Sequence, residues 1–400
     1  MTDAADSLHG YYATQDVLPT HGGFRTPEDL AAHEQHRRRL FTDKLALPPR
    51  AFAGARLLEV GPDSGENALV FASWGADCTL VEPHEKAHPV ILDGFARFGL
   101  EDRLAGLDGR DLESYALPPD AAEGFDVVTA EGFIYTIQPS ARWVGKLREL
   151  VRPEGFAVLF YLEAYGSLLE LTWKLVQRRY RELTGAGADE AAEALFATKW
   201  ASIPHKRTLR SWTMDVLENP FVRLAYALDP ASLCREMSDA GFALHSSWPR
   251  YDGGLDVHWF KRELPPERLL ADQLEFVARS RLSHMFGRGH FLADLDALPD
   301  GALRTLLEDV DALVDAFDPA RAERCRGRLE TLAALIRSPV VLSREEDAVA
   351  TVATIEMLGR LLDTLSAGEV DEIVAFCNED PAFVASWGMP SHFAVFRRAS

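Results

Sequence analysis

The chain has 400 residues, 47% hydrophobic and 26% charged, the composition of a globular protein with room for two domains or for one domain and an extension. Its formal net charge of −20 opposes binding to phosphate backbones and argues against nucleic acid as a substrate. The start MTDAADSLHG lacks the basic and apolar segments of a signal peptide. The apolar run FAVLFYLEAYGSLLELTW is broken by Glu163 and Glu170, and Cys78, Cys234, Cys325 and Cys377 are scattered without metal or cluster spacing. A cytoplasmic protein, with no membrane partner and no bound metal, is the expectation.

In chain order, residues 1–50 read as a polar lead that carries the aromatic pair Tyr11 and Tyr12 and a helix with Pro27 in its first turn. From Arg56 short apolar strands (RLLEV, CTLVE, RLAGL, FDVVTA, FAVLFYL) alternate with helical stretches (ENALVFASWG, VILDGFARFG, SARWVGKLRELV). That alternation predicts an α/β fold with a doubly wound parallel sheet. RPEGF reads as a stop before the fifth strand. Residues 164–228 break the rhythm as a helical insertion. FALHSSWP and LDVHWFKRE then read as strands joined by a YDGG hairpin. From residue 264 the chain reads as helical, with Ser343 and Glu346 at capping-box spacing. The final SHFAVFRR reads as a strand whose sheet stays open. The expected domains are a lead over 1–50, an α/β domain over 51–263 containing the insertion, and a mainly α-helical region over 264–400.

The stretch LLEVGPDSGENALVFA decides the chemistry. Leu57 to Val60 is a buried strand, residues 61–65 a tight turn, and Asn67 to Ala72 the first turns of a helix. A nicotinamide fingerprint needs glycine where Asp63 and Glu66 stand, and a carboxylate there would repel a pyrophosphate. An acidic residue followed by G-x-G-x-G fits better, with Glu59, Gly61 and Gly65, and with Asp63 at the middle position. Asp tolerates the positive φ this position calls for. Here the chain resembles the class I S-adenosylmethionine-dependent methyltransferases over roughly residues 50 to 165.

The resemblance implies a mostly parallel, seven-stranded Rossmann-like sheet, here with the helical insertion and an α-helical C-terminal extension. It implies S-adenosyl-L-methionine as cofactor and S-adenosyl-L-homocysteine as product. Glu59 and the loop Gly61, Pro62, Asp63, Ser64 and Gly65, followed by Asn67, would hold the methionine end. Glu82, with Pro83 behind it, would take the ribose hydroxyls. Asp111 would bind the adenine amino group with Leu112 beside the ring, and Ala130, Glu131 and Gly132 would border the sulfonium. Tyr12, with Tyr11, is a candidate lid.

Methyl transfer is an in-line displacement that mainly needs alignment and exclusion of water. A base is needed only for an acceptor that starts protonated. The candidates to shape this chemistry are Glu131 and Tyr135 after the fourth strand, Tyr161, Glu163 and Tyr165 after the fifth, and His205 in the insertion. His284 and His290 have the look of a metal pair, but no third ligand is in reach. The acceptor is expected to be a small molecule or peptide methylated on oxygen or nitrogen, in a specialised-metabolite setting. Basic runs holding Arg178, Arg179 and Lys206 hint at an anionic one. The rival readings are aminopropyl or carboxypropyl transfer from the same cofactor, and a non-catalytic interaction protein on this fold. The C-terminal helices could complete the acceptor pocket, form a homodimer interface or bind a protein partner.

Overall fold

The computed structural model describes residues 8–15, 24–119, 122–204, 208–253, 264–287, 292–293, 300–338 and 341–400. Two compact units emerge. One comprises Met1–Tyr161, Pro230–Leu274 and His392–Ser400, the other Leu162–Asp229 and Glu275–Ser391. The described strands are β1 (Arg56–Val60), β2 (Asp77–Val81), β3 (Leu104–Asp108), β4 (Phe125–Glu131), β5 (Val151–Leu162), β6 (Phe242–Trp248), β7 (Leu292–Ala293), β8 (Val341–Leu342) and β9 (Ser391–Arg398).

The first unit is built on a seven-stranded sheet of order β3-β2-β1-β4-β5-β9-β6. The pairs β1–β2, β1–β4, β2–β3 and β4–β5 are parallel, whereas β6 and β9 run antiparallel. The expected doubly wound, mostly parallel sheet is therefore present. Central β1 buries Leu57, Leu58, Glu59 and Val60 in succession, as a parallel strand covered on both faces does. SHFAVFRR is indeed a strand. It joins the main sheet and pairs with FALHSSW from Phe242↔Arg398 to Trp248↔Phe393. The strand expected beyond YDGG, over residues 255–263, lies outside the described residues.

Two local expectations are corrected. RPEGF is not a turn ahead of the fifth strand. The helix Ala141–Leu150 ends as expected, but β5 starts at Val151 and carries the irregularity within it. Glu154 takes φ 64°, and the β4–β5 register shifts between Phe125 and Val127. The helix Glu345–Ala367 is preceded by Arg344 as its cap, with no side-chain cap bond, so Ser343 and Glu346 form no capping box. A capping box closes instead at Pro27–Arg39. There Thr26 Oγ1 accepts from the Asp29 amide at 3.2 Å, and Asp29 Oδ2 accepts from the Thr26 amide at 2.9 Å. Pro27 sits in the first turn of that helix, as expected.

The helix Pro27–Arg39 and the π turn Leu40–Lys44 lead into an aromatic core of Phe41, Phe52, Phe71 and Trp74, in which the Phe52 and Phe71 rings stack at 5.2 Å. The second unit is helical among its described residues. Leu168–Thr184, Ala188–Ala201, Asp300–Asp315, Pro319–Ile336, Glu345–Ala367 and Val370–Glu379 bury Leu171, Trp173, Phe196, Leu307, Leu361 and Phe383. A two-residue antiparallel ladder, β7 with β8, accompanies them. The inserted helices and the C-terminal helices thus belong to the same unit.

Candidate active site

The carboxyl end of β1 runs into the glycine turn. Gly61, Asp63 and Gly65 all hold left-handed φ, at 66°, 50° and 87°, so Asp63 adopts the conformation for which Asp is tolerated. A Cβ at Gly61 would sit 3.0 Å from the Phe133 ring, so a larger residue there would be strained by its left-handed φ and would press on the loop after β4. Pro62, Ser64 and Gly65 are buried, and the Ser64 hydroxyl donates to Glu66 at 2.6 Å. Beyond β2, Glu82 is buried and ties two turns together. Its Oε2 accepts from the Asp63 amide at 2.9 Å and its Oε1 from the His84 amide at 2.8 Å. Burial pushes the Glu82 carboxyl up to about 7, although those two amide donors pull the other way. Pro83 beside it is half-buried.

Glu59, the fourth residue of β1, is 3% exposed, and its Oε2 has no hydrogen-bond partner. Burial first, then the neighbouring Glu131 carboxylate, push it up to about 8, against the pull of Arg37. Arg37, 6% exposed, comes from the helix Pro27–Arg39. Its Nη1 and Nη2 donate to the two oxygens of Glu131 at 2.7 and 2.6 Å, while its Nε is buried without a partner. The guanidinium lies 4.8 Å from the Phe41 ring centroid and 5.2 Å from that of Phe71. One helical turn earlier, His33 Nε2 meets Asn67 Oδ1 at 2.9 Å. Sequence reasoning missed Arg37 and His33. The available signal was their i,i+4 spacing, which puts both on one face of a helix.

The other residues singled out in the sequence also find their places. Asp111 is exposed after β3, with its Oδ1 accepting from the Ser114 amide at 2.7 Å, and Leu112 beside it is 2% exposed. Ala130 and Tyr135 are buried, and the Gly132 amide donates to the Phe160 carbonyl at 2.9 Å. Tyr12 packs edge-on to Tyr11 at 5.4 Å. His205 and Lys206 lie outside the described residues, as does His290. An open cleft of 680 Å³ runs along the edge strands past Asp77, Asp108, Arg110 and Tyr115, away from the glycine loop.

At the carboxyl end of β5 the first unit holds a second polar cluster. The Tyr161 and Tyr251 hydroxyls are hydrogen-bonded to each other, and the Tyr251 hydroxyl meets His392 Nδ1 at 2.8 Å. All three side chains are buried, between 0% and 1% exposed. Tyr161 was expected; Tyr251 and His392 were missed. In the second unit Glu163 is fully buried, takes the Gly166 amide at 2.5 Å on Oε2 and leaves Oε1 without a partner; burial pushes it up to about 8. Its carboxylate and the imidazole of His284 come within 4.8 Å of one another, and burial lowers His284 to about 4. Tyr165 is buried beneath the guanidinium of Arg281. Three basic side chains of the inserted segment have acidic partners: Arg179 with Glu182 at 3.5 Å, Arg181 with Glu218 at 2.6 Å and Arg210 with Asp189 at 2.7 Å.

Among the described helices none is long and apolar enough to cross a membrane. A family model described as a methyltransferase domain matches residues 32–247, more than half of the chain. No curated protein sequence matches it. Among solved structures, PKMT2 from Rickettsia typhi in complex with AdoHcy is 14% identical over 60% of this chain and 48% of that one, with a TM-score of 0.39. The [4+2]-cyclase SpnF is 13% identical over 87% and 75% of the two chains, with a TM-score of 0.34. The glycopeptide N-methyltransferase MtfA complexed with sinefungin is 19% identical over 34% and 56%, with a TM-score of 0.28. The chain spans less than two thirds of the first and third of these proteins. The chain belongs to the methyltransferase-domain family and is a class I enzyme that uses S-adenosylmethionine as its cofactor.

Proposed function

We propose that the enzyme transfers a methyl group to an oxygen or nitrogen atom of a small-molecule or peptide acceptor whose reacting group starts protonated. The observation that carries this reading is the buried chain Tyr161–Tyr251–His392. A carboxylate or thiolate nucleophile needs no proton acceptor, whereas a hydroxyl or ammonium does. The bound cofactor supplies an electrophilic methyl group and a neutral thioether as leaving group. As the acceptor attacks, its proton passes to the Tyr161 oxygen, the Tyr161 proton to Tyr251, and the Tyr251 proton to His392 Nδ1, which ends as an imidazolium.

The same reading assigns the cofactor site. The orphaned Oε2 of Glu59 suits an ammonium, and the left-handed turn around Gly61, Asp63 and Gly65 would carry the methionine end. Each Glu82 oxygen keeps a lone pair beyond its backbone donor for a ribose hydroxyl. Asp111 and Leu112 would meet the adenine, residues 130–132 would border the sulfonium, and Tyr11 and Tyr12 would cover the site. Carboxyls that burial holds near neutrality favour a cationic ligand over a phosphate-bearing one. Cys78, Cys234, Cys325 and Cys377 are buried and form no disulfide, which suits a reducing cytoplasm.

The test uses cofactor labelled at the methyl group against a panel of alcohols, phenols, amines, carboxylic acids and thiols. Label should enter an alcohol, phenol or amine. Tyr161→Phe and His392→Gln should lower kcat by about 10- to 100-fold with the KM for cofactor unchanged. Labelling confined to acids or thiols, with both variants fully active, would contradict the proposal.

A further inference from the structure

We infer that Arg37, held by Glu131, reads the carboxylate of the cofactor's amino-acid end while Glu59 reads its ammonium. This rests on the assignment of the cofactor to the carboxyl end of β1. Two side chains there, each more than nine-tenths buried, leave one polar atom without a partner: the acceptor Glu59 Oε2 and the donor Arg37 Nε. An unmet buried donor or acceptor is destabilising unless a ligand completes it. One unmet acceptor on a carboxyl that ionises to meet an ammonium, and one unmet donor on a cation, are the complement of a zwitterion, and the methionine end of the cofactor is a zwitterion. The two groups act on one another electrostatically, since Arg37 is among the charges that bear on Glu59.

Glu131 then has a positioning role. Its bidentate grip uses Nη1 and Nη2 and fixes the plane of the guanidinium, which also lies against Phe41 and Phe71. The grip uses two of the five guanidinium N–H groups, and Nε is the one nitrogen it leaves with no partner. The helix Pro27–Arg39 becomes part of the ligand site, because it delivers Arg37 directly and braces Asn67 through His33.

The experiment compares calorimetric binding of S-adenosylmethionine with that of 5′-methylthioadenosine, which keeps the adenosine and thioether but lacks the amino-acid end. Arg37→Gln should weaken the first ligand by about 10- to 100-fold and leave the second within about twofold. Arg37→Lys preserves a charge opposite Glu131 but removes the Nε donor, and should show the same selective loss if Arg37→Gln does not fold. Parallel loss of both ligands, or unchanged binding of S-adenosylmethionine by a folded variant, would overturn the inference. Failure of the folded wild type to bind either ligand would overturn the cofactor-site assignment itself, and the inference with it.

Discussion

The buried charges of the two units are handled in opposite ways. In the second unit Lys199 is fully buried, and its ammonium donates to the carbonyls of Phe383 and Ser386 and, at 3.5 Å, of Val384. The rings of Trp173, Trp387 and Phe383 surround it at 4.3, 4.7 and 4.9 Å. Every N–H of that group is used inside its own unit. At the carboxyl end of β1 in the first unit, Glu59 and Arg37 are buried almost as deeply and each keeps one atom unmatched. A buried charge whose hydrogen bonds are complete holds the fold together. A buried ionisable group left incomplete marks where something else must bind.

The largest effect that could break this contrast belongs to Lys199. Lys199→Met leaves the Phe383 and Ser386 carbonyls without their donor and should lower stability by about 3 kcal/mol in urea unfolding, with S-adenosylmethionine affinity unchanged. A variant as stable as the wild type would show that Lys199 does not tie these segments together.

A smaller effect, of opposite sign, belongs to Glu59. Burial raises its folded-state carboxyl to about 8 from an ordinary 4.5, so the folded protein holds this proton more tightly than the unfolded chain. Stability on this account is undiminished below the unfolded value and falls as pH rises from 4.5 towards 8. Glu59→Gln removes that loss. The cofactor-free variant should gain about 1–2 kcal/mol over the wild type near pH 8, with the difference fading towards pH 5, while its cofactor affinity falls; the amide still lacks a partner, which limits the gain. Thermal unfolding across that range checks the sign, and a difference that grows towards low pH would refute it.

Much of the fold was legible because it rests on local signals. The alternation of apolar strands with helices gave β1 to β5, and the spacing of glycines with Asp63 gave the left-handed turn. Long-range pairing was not legible. SHFAVFRR reads as a strand, but nothing local says that it enters the sheet beside FALHSSW, and so His392 could not be brought to Tyr161 and Tyr251. Arg37 was hidden for a related reason. A run of HRRR in an acidic chain reads as a solvated helix face, and only packing shows that one of these arginines is buried against Phe41, Phe71 and Glu131. The Glu154 irregularity was misplaced because a turn-forming sequence can also sit inside a strand as a bulge.

Burial makes Glu59 hold its proton until the ammonium of the cofactor arrives, among Glu131 on β4, Arg37 on the helix Pro27–Arg39, Glu66 at the start of the next helix and Glu82 after β2. The direct measurement is calorimetry of the wild type at about pH 6.5 in buffers of different ionisation enthalpy, where the α-amino group of the ligand is already charged. Binding of S-adenosylmethionine should release about one proton more than binding of 5′-methylthioadenosine, because only the former requires the Glu59 carboxylate. Equal proton counts for the two ligands would contradict the account.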